Sequence, residues 1–157
     1  MFRHFRGTMS KLQRFFVAVG LTLGLAVGTS GTAFAATGSA AAVPLDSAPG
    51  CSSVSQIGTT GYITIAGQTY ASVKQYVGCS KNYAYVYVWQ SWRNTHSSWN
   101  SCAAIGVGTT LQDTNCGNGV EVWSFGANTV SQCTYAIGWE GDGPVPDGPS
   151  GTTDTRC

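Results

Sequence analysis

The chain is short of charge. Asp, Glu, Lys and Arg make up 10% of its 157 residues, less than half of the roughly 25% usual in soluble domains. Past residue 35 the only cations are Lys74, Lys81, Arg93 and Arg156, scattered and outnumbered by seven carboxylates. Four separated cations cannot track a phosphate backbone, which excludes nucleic acid as a partner. There is no Cys-x-x-Cys pair, and with it go the usual zinc spacings. Gly-x-Ser-x-Gly, a phosphate loop, a dinucleotide fingerprint and His-x-x-x-His are absent as well, leaving no ready-made nucleophile elbow or cofactor cradle. Past residue 35 a single histidine, His96, lies in the polar run Asn94–Ser98, where an exposed turn is expected. No window past residue 50 is rich in Ala, Leu, Glu and Lys together. Helices are therefore not expected.

The one long apolar run is at the start. Arg3, Arg6, Lys11 and Arg14 precede an apolar stretch from Phe15 to Val27, and Ala33-Phe34-Ala35 follows. A basic start, an apolar run too short to span a bilayer and a small-x-small triplet predict a signal peptide, 1–35, cleaved after Ala35. No Arg-Arg pair marks a twin-arginine route. The mature protein is expected to be secreted, extracellular, free of the membrane and monomeric. Residues 36–50 are rich in Ala, Ser, Gly and Pro without periodicity, so a flexible leader or short propeptide is expected there. A single domain should then occupy 51–157.

What is present begins with cysteine. Cys51, Cys79, Cys102, Cys116, Cys133 and Cys157 all lie past the signal. An even count, wide spacing and an exported destination imply three disulfides. Of the fifteen pairings open to six cysteines, the sequential one, Cys51–Cys79, Cys102–Cys116 and Cys133–Cys157, is taken as the expectation. It closes local loops that a β-meander would bring together.

Period-two alternation is the dominant pattern. Asn82 to Arg93 puts Tyr83, Tyr85, Tyr87 and Trp89 on one side of an extended backbone and Ala84, Val86 and Val88 on the other, because strand side chains alternate faces. Further strands are predicted over Tyr62–Ile65, Gln68–Val77, Ser98–Val107, Val120–Phe125 and Val130–Trp139, punctuated by Ala66-Gly67, Gly117-Asn118-Gly119 and Gly126-Ala127-Asn128. The fold class is all-β: a small disulfide-bonded antiparallel sandwich or barrel. From residue 140 the Gly/Pro/Asp-rich tail should be irregular.

Three chemistries compete for these residues. Trp89, Trp92 and Trp99 crowd around a polar bend carrying Arg93 and Asn94, and Trp, Tyr and Arg dominate the energetics of protein interfaces. The plainer reading makes them core, since Trp92 would fall on the Val86/Val88 side. Tyr83, Tyr85, Tyr87 and Trp89 together could instead form a stacking platform for polysaccharide. Paired carboxylates for glycoside hydrolysis would come from Asp113, Glu121, Glu140 and Asp142, with Glu121 beside Trp123 as the first choice. Glu140, Asp142 and Asp147 could offer oxygens to calcium, though at no EF-hand spacing. No cofactor and no metal are expected.

One segment resembles a known family. Trp89-Gln90-Ser91-Trp92-Arg93, with Cys102 nine residues beyond Arg93, is similar to the aromatic-Gln-Ser-Trp-Arg-Tyr segment of the small secreted α-amylase inhibitors of the tendamistat type. The resemblance implies an all-β disulfide-bonded fold and a non-enzymatic inhibitor of a glycoside hydrolase. It places Arg93 toward the enzyme's carboxylates and Trp92 where a sugar ring would lie. The family's next residue, Tyr, is Asn94 here. The family also has four cysteines in a shorter chain, and its upstream cysteine lies closer to the motif than Cys79 does.

Overall fold

A computed structural model of the protein describes residues 47–157. The expected signal peptide and residues 36–46 of the leader lie outside the described residues. The alternation read from the sequence produces an antiparallel sheet of β1 (Ser55–Ile65), β2 (Gln68–Gly78), β3 (Lys81–Val88) and β6 (Glu121–Trp123), in the order β1-β2-β3-β6. A second sheet, ordered β5-β4-β7-β8, contains β4 (Ser101–Val107), β5 (Thr110–Gly117), β7 (Tyr135–Glu140) and β8 (Ser150–Thr152). The architecture is a sandwich of two four-stranded antiparallel sheets rather than a barrel.

Ile63, Ala71, Val73, Ala84, Val86, Val88 and Val122 of the first sheet pack on Ala103, Ile105 and Ala136 of the second. Each fully buried Val or Ile contributes about 1.5–3 kcal/mol. At the centre Gly138 lets the layers approach, because a Cβ there would run into Val73 and Val86. The free edges of the sheets are drawn together. Asn115 donates from Nδ2 to the Trp123 carbonyl at 2.8 Å, and the Phe125 N–H donates to the Asp113 carbonyl at 3.1 Å. At the opposite edge a Cβ on Gly61 would collide with the Thr152 carbonyl, and one on Gly151 with that of Tyr62.

The disulfides are Cys51–Cys79, Cys102–Cys116 and Cys133–Cys157, the sequential pairing. Each stabilises by roughly 3 kcal/mol through restriction of the unfolded chain.

Several boundaries differ from expectation. β1 reaches back to Ser55, and order begins before Cys51, with Ala48 bridged to it. The edge strand β5 is absent from the sequence reading: Thr110–Gly117 is largely polar and has no fully buried residue, so its pattern carries no apolar alternation. β8 forms inside the tail expected to be irregular, three residues long and paired to Ile137–Trp139. The strands expected over Val120–Phe125 and Val130–Trp139 shrink to Glu121–Trp123 and Tyr135–Glu140, and Ser98–Val107 starts only at Ser101. The Asn82–Arg93 strand stops at Val88. Gln90–Arg93 is a single helical turn, α1, closed by the Trp92 and Arg93 N–H groups on the Trp89 carbonyl at 3.1 Å. The chain must leave the first sheet here to reach the second, and Gln-Ser-Trp-Arg lacks the β-branched residues that would hold it extended.

Candidate functional site

Strand registers place several connections at one end of the sandwich. Val88 pairs with Ala71 near the start of β2, Ser101 pairs with both Gly117 and Glu140, and Trp139 pairs with Ser150. The Ala66–Gly67 turn, the 89–100 connection, the 118–120 connection and the 141–149 connection therefore share this end. Loops held by a rigid sheet scaffold are where binding groups are usually carried.

The 89–100 connection is pinned at its base. The Trp89 N–H donates to the Tyr70 carbonyl and the Val88 N–H to that of Val120, both at 2.9 Å. Tyr70 is fully buried, its hydroxyl bonded to the Ser101 hydroxyl and donating to the Asn100 carbonyl at 3.0 Å. Burial raises the Tyr70 pKa, and the Glu140 carboxylate adds to it, against the opposing pull of Ser101. Tyr70 is thus a neutral strut between the two ends of the connection.

Trp92 is half-buried against the main core, edge-on to Tyr70 at 5.2 Å. The His96 ring stacks on it at 3.7 Å, and the His96 Nδ1 lies 3.1 Å from the Trp92 carbonyl. The Trp92 indole N–H is buried without a partner among the described residues. The Trp92 ring is therefore packed inward between Tyr70 and His96, whereas the resemblance placed it toward a sugar site. Arg93 folds back along the sheet: Nε donates to the Val88 carbonyl at 3.1 Å, one terminal nitrogen to the Tyr87 hydroxyl at 3.4 Å, and the guanidinium carbon sits 5.9 Å from the Tyr87 ring centroid. A guanidinium has five N–H groups, so three remain to face outward. Trp89 is the exposed ring, at 41%, edge-on to Tyr87 at 6.2 Å. Asn94 closes α1 through its N–H to the Gln90 carbonyl, leaving its side chain exposed.

The tyrosine row lies on the face of the first sheet turned away from the second, as alternation requires. Tyr83 and Tyr85 are nonetheless only 1% and 3% exposed, so no ligand can stack on them. They belong to a separate cluster with Tyr76, Ala48 and Cys51, flanked by Tyr87 and Trp123. Trp123 lies 4.6 Å from Tyr85 and 5.1 Å from Tyr76, and a Cβ on Gly126 would strike the Tyr83 ring. Burial first, and the nearby Glu121 carboxylate second, push the Tyr76 pKa up to about 12 and raise that of Tyr85. Both stay neutral. Alternation reports direction and cannot report what neighbours cover, so the platform stood in the sequence only as an alternative.

The four carboxylates considered for hydrolysis do not come together as one set. Asp113 lies exposed on β5, and Glu121 lies exposed on β6 of the other sheet. Glu140 and Asp142 instead line a polar groove of about 540 Å³ with Ser97–Asn100, Asn118 and Gly141. Sequence reasoning missed this groove, whose walls come from three separate connections. Its best sequence signal was Trp99 among serines and asparagines. Among the described residues no three His, Cys, Asp or Glu side chains come together as a metal site, so Glu140, Asp142 and Asp147 do not form the calcium cage considered above. Comparison with protein-family models, curated proteins and solved structures finds no match.

Proposed function

We propose that the mature chain is a secreted, non-catalytic protein that binds and inhibits a glycoside hydrolase of the α-amylase type, using the tip 89–98. The observation that carries this reading is the pairing of an exposed Trp89 with an Arg93 already held in place by Tyr87 and Val88. An inhibitor gains affinity when its contact groups are ordered before binding. A partly desolvated guanidinium beside an aromatic ring is suited to meeting carboxylates in a water-poor cleft. The Trp89-Gln90-Ser91-Trp92-Arg93 resemblance supports the choice of target. Trp89 takes the outward role that the resemblance assigned to Trp92, and Trp92 anchors the turn beneath it. Three disulfides suit an oxidising, extracellular compartment, and among the described residues no helix is long and apolar enough to cross a membrane.

Titration of α-amylase activity with the mature chain tests the proposal. Inhibition is expected, and Trp89→Ala or Arg93→Ala should each weaken it about tenfold or more, the scale of a lost charged hydrogen bond or aromatic anchor. An enzyme that keeps full activity under excess protein, or variants that inhibit as well as the parent, would refute it.

A further inference from the structure

The groove beside the tip is built independently of Trp89 and Arg93. Its backbone is tied from several directions. The Asn100 carbonyl accepts from the Gly141 N–H and from the Tyr70 hydroxyl, each at 3.0 Å. The Trp99 indole N–H donates to the Gly119 carbonyl at 3.0 Å, and the Glu140 N–H donates to the Pro149 carbonyl at 3.0 Å. The Cys102–Cys116 bridge lies one register step below. A ligand arriving here would order little backbone, which keeps the cost of binding low.

On this fixed frame, the side chains of Asn100, Asn118, Glu140 and Asp142 make no hydrogen bond or ion pair among the described residues, although all four line the same depression. These groups face solvent and can exchange water for a ligand. The only ionisable groups in the lining are two carboxylates, so phosphate, sulfate and uronate ligands are repelled. A simple ammonium would satisfy the carboxylates but leave the amide donors of Asn100 and Asn118 without an acceptor, since an ammonium has none. A sugar hydroxyl both donates and accepts, and so meets carboxylates, amides and serine hydroxyls alike. Trp99, partly packed on the core, also lines the groove, and indole surface suits the apolar face of a pyranose ring. The volume lies within the range of small-molecule sites.

We infer that the groove formed by Trp99, Asn100, Asn118, Glu140 and Asp142 is a binding site for a neutral saccharide, a mono- or disaccharide unit of a larger glycan. Sugar recognition therefore belongs to the loop end of the sandwich and not to the tyrosine face. The site needs no hydrolase. Its failure would leave the inhibitor reading standing, and the reverse also holds.

The test is calorimetric titration of the mature chain with maltotriose, cellotriose and chitotriose, with trigalacturonic acid and spermidine as charged controls. At least one neutral trisaccharide is expected to bind in the millimolar range or tighter. Asn118→Ala and Asp142→Asn are each expected to weaken that binding about tenfold, one hydrogen bond's worth, with unchanged thermal unfolding because both side chains are exposed and unpartnered. Trp89→Ala should leave it unchanged. The inference falls if no neutral saccharide binds, if only a charged control binds, or if both groove variants bind like the parent.

Discussion

The rings of Trp92 and His96 lie 3.7 Å apart and within 2° of parallel. Beneath them the edge of Trp92 meets Tyr70, and Tyr70 ties β2 to the start of β4. The tip is therefore a stack that runs from solvent to core, and its rigidity depends on the Trp92 ring. Its unpartnered N–H is a cost of about 1–3 kcal/mol that the ring's packing offsets. Trp92→Phe keeps a ring and removes the orphan donor, so it should unfold within about 1 kcal/mol of the parent or above it. Trp92→Ala should lose about 3 kcal/mol, the low end for a Trp truncation because the ring is half-buried. Urea unfolding of the two variants separates the cases. A Phe variant as unstable as the Ala variant would mean the indole N–H has a partner.

A second contact links the irregular middle of β1 to the C-terminal segment. The Thr59 N–H and hydroxyl both donate to the Asp154 carboxylate, with Arg156 at 2.7 Å from it. These bonds, the Thr59 backbone N–H foremost, hold the Asp154 pKa below its ordinary value of 3.8. A lowered folded-state pKa contributes stability that is present above 3.8 and is lost as pH falls through the lower folded value. Asp154→Asn should therefore melt below the parent at about pH 7, with the gap closing toward about pH 2. A gap that stays constant, or widens in acid, contradicts the contact.

The chain end depends on a bridge. Cys133–Cys157 closes 24 residues, and the tail is held besides by the Thr134–Arg156 pairing, the Thr153–Ala136 bonds, the Thr59–Asp154 contact and the short β8. A double Cys133→Ser, Cys157→Ser variant should lose about 3 kcal/mol in chemical unfolding. Parent-like stability would show that the non-covalent contacts alone retain the tail.

At the β1–β2 turn both central residues have positive φ, Ala66 at 49° and Gly67 at 82°. A side chain in that region costs about 1–2 kcal/mol unless it is Asn or Asp. Ala66→Asn should stabilise the protein by about 0.5–1 kcal/mol, read as a raised melting temperature. A fall would place the turn in another conformation.

The sandwich was legible where burial writes a period into the sequence. β2 and β3 alternate because one face meets the second sheet, and Ala66-Gly67 marks its turn through the need for positive φ. β5 left no such mark, because its residues are half-exposed on both faces, and β8 is too short to alternate. At the site, Trp92, Arg93 and Trp89 were visible as unusual residues in an unusual cluster. Their roles were not, because whether an indole faces core or solvent depends on where β3 stops. That point is set by the crossing to β4 and by Tyr70, which lies 22 residues upstream of Trp92. The groove was hidden for the same reason. Asn118 and Glu140 become neighbours of Trp99 only once Ser101 has paired with both Gly117 and Glu140.

Amide hydrogen exchange of the mature chain with and without α-amylase tests the central claim most directly. If the tip is the recognition element, slowed exchange on complex formation should be confined to residues 89–98 and the strand ends beneath them, Tyr87, Val88 and Tyr70. No slowing anywhere, or slowing only at the opposite end of the sandwich around the Cys79–Ser80 turn, would contradict it.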